Sequence, residues 1–207
     1  MIINALKDGT DLRHRDPKEL PVREKILRSA VILFNRHGVH TTGIDTIIAD
    51  SGAAKMSFYK HYPSKGKLVL EYLRYKDLFW FAGLKKYTDD ISLTPKDRLL
   101  GIFDFFKDWF SEPDFRGCPF IKGLSEFDAG YDTEVLECIG SHFSKTQQIV
   151  HERLSDLYGE TNATSLTPKF MSLIAGATIV AQATGAPEIA GVNKEIAETL
   201  LAQYQIN

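Results

Sequence analysis

The stretch from Pro21 to Pro63 constrains this chain most, because it sets three helical segments end to end with very little connecting chain. Proline suits the first turn of a helix, where its missing N–H has no partner to lose. Behind it, Ile26, Ala30, Leu33 and Phe34 recur at helical spacing and form one apolar stripe. Gly38 suits the end of that helix. Thr41-Thr42-Gly43 follows, and threonine ahead of an apolar-periodic run reads as an N-cap. The second helix, Ile44 to Asp50, is about two turns long, with Asp45 in its acid-favouring first turn. Ser51-Gly52 breaks it, a third helix runs from Ala53 to Tyr62, and Pro63-Ser64 stops that one. Two short helices around a tight glycine turn, after a longer supporting helix, make a helix-turn-helix layout. In that layout the second short helix lies in a DNA major groove.

The third helix carries matching chemistry. Lys55 and Lys60 are cationic, Ser57 is a short hydrogen-bonding group, and Tyr59 and His61 are rings with polar tips. Met56 and Phe58 stand two apart, so one faces the core and the other turns toward the surface. An unrelated three-helix domain has the same spacing, and charge helps to separate the two readings. Residues 1–76 hold 14 Lys and Arg against 8 Asp and Glu, a balance of +6; residues 77–207 hold 11 against 19, a balance of −8. A basic head on an acidic body fits a nucleic-acid-facing head, although chance segregation gives the same totals. Residues 1–18 are polar and aperiodic and are expected to form a mobile arm. Their Arg13-His14-Arg15 cluster either reaches a minor groove or stays in solvent. Lys65 opens a fourth helix that Ser64 can cap and whose first N–H groups can hold a phosphate. Leu68, Tyr72, Tyr75 and Phe79 continue one face into a long helix, the natural link to the body. The expected divisions are thus an arm over 1–18, a helix-turn-helix domain over 19–66 and a helical domain over 67–207.

The segment from Arg23 to Leu70 reads REKILRSAVILFNRHGVHTTGIDTIIADSGAAKMSFYKHYPSKGKLVL. It resembles the DNA-binding domain of TetR-family regulators. Shared features are the apolar first helix ending at glycine, the threonine-bearing turn, Ile44 and Ile47, the turn glycine, the Tyr59-to-Tyr62 ending and the lysine-bearing start of the fourth helix. There are departures. Ala53-Ala54 stand where the family often has Val-Ser, Met56 where it often has glycine, and Gly66 where an acidic or small residue is usual. The resemblance implies a DNA contact surface of Thr41, Thr42, Ala54, Lys55, Ser57, Tyr59, Lys60, His61 and Lys65. In it Thr42 meets a phosphate at the start of helix two. Lys55 and Ser57 face base edges or the nearby backbone, and Tyr59, Lys60, His61 and Lys65 mainly hold phosphates. The base sequence read is not transferable, because the departures sit on or beside the reading face.

The remainder reads as all-helical. Thr94-Pro95 with Asp97 marks a helix start, and that helix carries Leu99, Leu100, Phe103, Phe106, Trp109 and Phe110. After a loop and a short segment from Phe120 to Phe127, a helix begins near Asp132–Glu134 and ends at Tyr158-Gly159. Two more are expected, Leu166 to Ala183 capped by Thr167-Pro168, and about Glu188 to Tyr204. The expected fold is therefore all-α, with the helix-turn-helix domain joined by a long helix to a C-terminal helical domain. Aromatics at helical spacing usually fill a core. The resemblance implies a pocket for a small apolar or aromatic effector in this domain, and Phe106, Phe110, Phe120 and Phe127 are the residues expected to line it. It also implies a homodimer, with the small-residue helix around Ala175, Gly176, Ala177, Ala181 and Ala183 pairing with the last helix. Ordinary packing within one subunit is the alternative for that stripe, but one short reading helix makes too few contacts for tight specific binding, which favours the dimer.

Other functions find little support. There is no P-loop, G-x-S-x-G, H-E-x-x-H or G-x-G-x-x-G motif, so no enzyme, catalytic residue or cofactor is expected. No two of the six histidines stand four apart as a helical metal pair. The N-terminus has no hydrophobic signal region and no stretch is long and apolar enough for a membrane span, so a cytoplasmic protein without membrane partners is expected. Cys118 and Cys138 make no disulfide framework or zinc spacing. The Arg116-Gly117-Cys118 turn resembles one found in many TetR-family members. Two readings remain: a repressor released from a palindromic operator by a ligand, or a helix-turn-helix adaptor controlled by a protein partner or a Cys118 redox switch.

Overall fold

Helix α1 (Val22–His37) starts behind Pro21, whose fixed φ favours helical entry. It buries Ile26, Leu27, Ala30, Val31 and Phe34. Gly38 ends it at φ 85°, returning its N–H to the Phe34 carbonyl at 2.9 Å. Helix α2 (Ile44–Ser51) buries Ile47 and stops at Gly52 in a left-handed conformation, φ 64°. Helix α3 (Lys55–His61) buries Phe58 completely. Both short helices pack on α1. Tyr62, just past α3, is buried; its hydroxyl donates to the Arg23 carbonyl at 3.2 Å, and the Arg23 guanidinium lies 5.6 Å above its ring. Burial pushes the Tyr62 hydroxyl pKa well above its usual value, so it stays a donor. Helix α4 (Lys65–Thr88) joins this frame through an ion pair between Glu71 and Arg23. Ser64 caps it, accepting the Lys67 N–H at 3.2 Å.

The computed structural model describes residues 10–128 and 132–204, and among them there are eight α-helices and no strand. Helix α5 (Pro95–Phe110) is capped as expected, the Thr94 hydroxyl accepting the Asp97 N–H at 3.1 Å. Helix α6 (Pro119–Glu126) is short. A long helical run, α7 (Thr133–Thr184), is broken at Gly159, where φ is 76°. Helix α8 (Ile189–Leu201) closes the described chain and packs along α5. By contacts the chain forms two compact units. One comprises the described residues up to Phe79 with Pro119–Gly140; the other comprises Trp80–Cys118 and the described residues from Ser141 onward. The second unit has a core of Leu99, Phe103, Leu154, Leu166, Phe170 and Ala177, among others.

Three details depart from the sequence reading. Thr42 does not cap α2. Gly43 occupies that position, and the Thr42 hydroxyl donates instead to the Gly38 carbonyl at 2.8 Å. Thr167-Pro168 does not start a helix either. Pro168 lies inside the second half of α7, where the Thr167 hydroxyl donates to the Ala163 carbonyl at 2.7 Å. Leu166 and Phe170, one turn apart and both fully buried, hold the helix together through the proline. Finally, residues 10–20 are packed, although a mobile arm is the sequence expectation for 1–18. Two 3-10 turns, Leu12–His14 and Pro17–Glu19, follow Asp11 and Asp16 caps, and Leu12 is fully buried. Residues 1–9 of that expected arm lie outside the described residues.

Candidate nucleic-acid interface

Phe58 fixes how α3 is presented. With that ring inward, residues two positions before and two after it point away from α1, since successive residues turn by about 100°. Met56 is accordingly 87% exposed, and Lys60 is exposed four residues further along the same face. Ser57 is half-buried; Tyr59 is exposed and sets its ring edge-on to Phe58, 5.3 Å between centroids. Lys55 and Ala54 are exposed at the entry to the helix. Lys55 is not loose: its Nζ meets Asp45 Oδ1 of α2 at 3.2 Å. Both groups are well exposed, so this pair adds little stability, but it aims the lysine along the α2–α3 edge. His61 is half-buried at the last turn.

The start of α2 is arranged differently from the threonine contact expected there. Thr42 is 3% exposed, and both threonine hydroxyls spend their proton on α1. Thr42 donates to Gly38, and Thr41 donates to the His37 carbonyl. A donor already committed to a carbonyl has no proton to offer a phosphate. The backbone supplies the alternative: α2 has no side-chain cap, and the first N–H groups of a helix lack intrahelical partners. Lys65 stands near this turn, its Nζ 3.5 Å from the His40 carbonyl. Partial burial lowers its amine pKa, against the opposing pull of Glu126. His40 itself hydrogen-bonds the Glu126 carbonyl at the end of α6.

The four aromatic residues expected to line one effector pocket fall in different units. Phe106 and Phe110 belong to the second unit's core, stacked at 5.3 Å. Phe120 and Phe127 belong to the first, where Phe127 lies 6.0 Å from the His40 ring. The sequence reading missed the feature that distinguishes the aromatic cluster. Trp80 contacts Phe81, Phe105, Phe106, Trp109 and His142, and its indole Nε1 is buried without a hydrogen-bond partner. Nothing in helical spacing separates such a tryptophan from a core residue. Met56 and Asp45 stand beside the residues expected to contact DNA, although neither is among them. The Phe58 register was the available signal for the first; a contact between helices ten residues apart gave none for the second. Cys118 is buried. Among the described residues no group of three or more His, Cys, Asp or Glu gathers as a metal site, and no helix is long and apolar enough to cross a membrane.

Comparison with known proteins places this head. Residues 26–72 match the family model described as bacterial regulatory proteins, tetR family. YxaF of Bacillus subtilis, an uncharacterized HTH-type transcriptional regulator, is 29% identical over 161 residues, which cover 74% of this chain and 81% of that protein. KstR2 of Mycolicibacterium smegmatis, an HTH-type transcriptional repressor, is 31% identical over 81 residues, 39% of each chain. The crystal structure of SCO4454, a TetR-family transcriptional regulator from Streptomyces coelicolor, shares the fold with a TM-score of 0.80, covering 88% of this chain and 95% of that one at 23% identity. With the geometry above, this match makes residues 26–72 a helix-turn-helix DNA-binding head of the kind that transcriptional regulators carry. That head belongs to the TetR family, and the chain as a whole shares the fold of TetR-family regulators.

Proposed function

We propose that this chain is a repressor that binds a palindromic operator as a homodimer and is released by a small apolar or aromatic ligand. The observation that carries the DNA-reading part is the outward face of α3, where Met56, Lys60 and the Asp45-aimed Lys55 stand clear of the core. In this reading Lys55 and Ser57 meet base edges, while Tyr59, Lys60, His61, Lys65 and the amides at the start of α2 hold phosphates. Thr41 and Thr42 shape that turn rather than donate to the DNA. Ala54 lets the backbone approach closely.

Trp80 supports an effector site in the second unit. A buried indole N–H without an acceptor is costly. An aromatic ligand bearing a carbonyl, ether or ring nitrogen acceptor would satisfy it while stacking among Phe106, Phe110 and Trp109. Phe120 and Phe127 belong to the other unit and are not part of this cluster. Burial of Cys118 counts against thiol-based control, which needs an exposed thiolate. Dimerisation is supported by exposed Ile179 and Val180 on α7 and Val192 and Ile196 on α8, beside small residues such as Gly176. A repressor role is the name KstR2 carries, and a ligand works here only through unequal affinity for the DNA-bound and released states.

The test is a binding titration against duplexes selected from a random-sequence library, repeated across salt concentrations. Specific binding should weaken with salt, and Lys60→Ala should lower the salt slope by about 0.9 for each phosphate that the lysine neutralises. Binding that no salt concentration affects would rule the reading out.

A further inference from the structure

We propose that Met56 reads a thymine methyl group in the major groove, and so helps to set which operators this protein accepts. The inference rests on α3 being the reading helix. Met56 is 87% exposed, directly opposite the fully buried Phe58. Its side chain is the apolar member of an otherwise polar or cationic outward face: Lys55 and Lys60 flank it, and Ser57 is short. Ala53 and Ala54 before it are small. Such a side chain cannot engage a phosphate. In the major groove, the one apolar feature that base edges present is the thymine C5-methyl. The lysines cannot serve that purpose, and Lys55 is drawn toward Asp45, leaving the centre of the face to Met56. A flexible thioether adapts to a methyl without demanding a single rotamer.

The experiment uses the full chain. A binding sequence is first selected from a random-sequence duplex library. Each thymine in it is then replaced singly by deoxyuridine, which removes the methyl and keeps every hydrogen-bonding group. Wild-type protein should lose about fourfold in affinity at one thymine in each half-site, the value expected for one buried methyl. Met56→Ala should show no loss at that same position and unchanged responses elsewhere. Met56→Leu, apolar and of similar volume, should keep the sensitivity. Because the side chain is exposed, both variants should melt within about a degree or two of wild type. A wild-type protein indifferent to every uracil substitution would overturn the proposal. So would Met56→Ala retaining the wild-type pattern. Failure of the library to yield any enriched sequence would instead remove α3 as a reading helix, and this proposal with it.

Discussion

At Tyr75 a single hydroxyl positions the first described turn of the chain. It donates to Asp11 Oδ1 at 2.6 Å and accepts the Leu12 N–H at 2.8 Å, while Arg28 Nε reaches the Leu12 carbonyl at 3.1 Å. Tyr75→Phe would leave the buried Leu12 amide without a partner, and should cost about 1–3 kcal/mol in denaturant unfolding. Asp11 adds a pH dependence. Burial raises its carboxyl pKa, but hydrogen bonds from Arg13 and Tyr75 outweigh that, and the result lies below the ordinary 3.8. A carboxyl whose folded-state pKa is depressed stabilises the fold fully above its unfolded value and loses that contribution as the pH falls through the folded one. Stability should therefore drop below pH 3.8 in the wild type, and Asp11→Asn should flatten that part of the profile. Identical acid slopes in thermal melts of the two proteins would refute this. None of this docking was legible in the sequence. A run of polar residues gives no period to read, and Leu12 finds its partner 63 positions away.

Elements were far more legible than these contacts, because their signals are local. Pro21, Gly38, Gly52 and the Thr94 cap each act within a turn of their own position, and α1, α2, α3 and α5 begin or end at them. Thr167-Pro168 misled for the complementary reason: the local signal favours a helix start, but burial of Leu166 and Phe170 decides otherwise. Close helix approaches belong to the same scale. In α5, a Cβ on Gly101 would stand 2.4 Å from the Tyr87 carbonyl oxygen, a backbone atom with nowhere to move. Gly101→Ala should destabilise by about 1–3 kcal/mol or more, as overpacking does. Gly140 is the control, since a Cβ there meets nothing within 4 Å. Gly140→Ala should raise stability by about 0.5–1 kcal/mol through helix propensity alone. Equal effects at the two glycines would show that backbone entropy, not space, sets the cost at Gly101.

At the scale of the molecule, the grouping of residues was the hardest thing to read. Pro119–Gly140 clusters with the head, although it follows Trp80–Cys118 in the chain. Its anchors there are the His40 bond to Glu126 and an ion pair between Lys67 and Glu134. Local patterns do not reveal pairings over 67 to 86 residues. The apolar residues left exposed on α7 and α8 raise the matching question of what covers them. The homodimer proposed above would answer it, and it would also answer a deficiency of the head, since one seven-residue helix makes few base contacts. Two heads related by a two-fold axis read half-sites about 34–36 Å apart, and their contact energies add on one DNA molecule. Gly176 offers a sharp test, because a side chain there has open space within its own chain. Gly176→Leu should leave each chain folded yet weaken association wherever a second copy packs closely. Ile179→Glu with Ile196→Glu should do so more strongly, by placing charges on the seam. Light scattering should then report the 23.3 kDa chain mass instead of twice that value. Operator affinity should fall steeply in parallel, while melting of the chain stays cooperative. Variants that remain dimeric, or monomers that bind the operator as tightly as wild type, would separate the exposed seam from DNA reading.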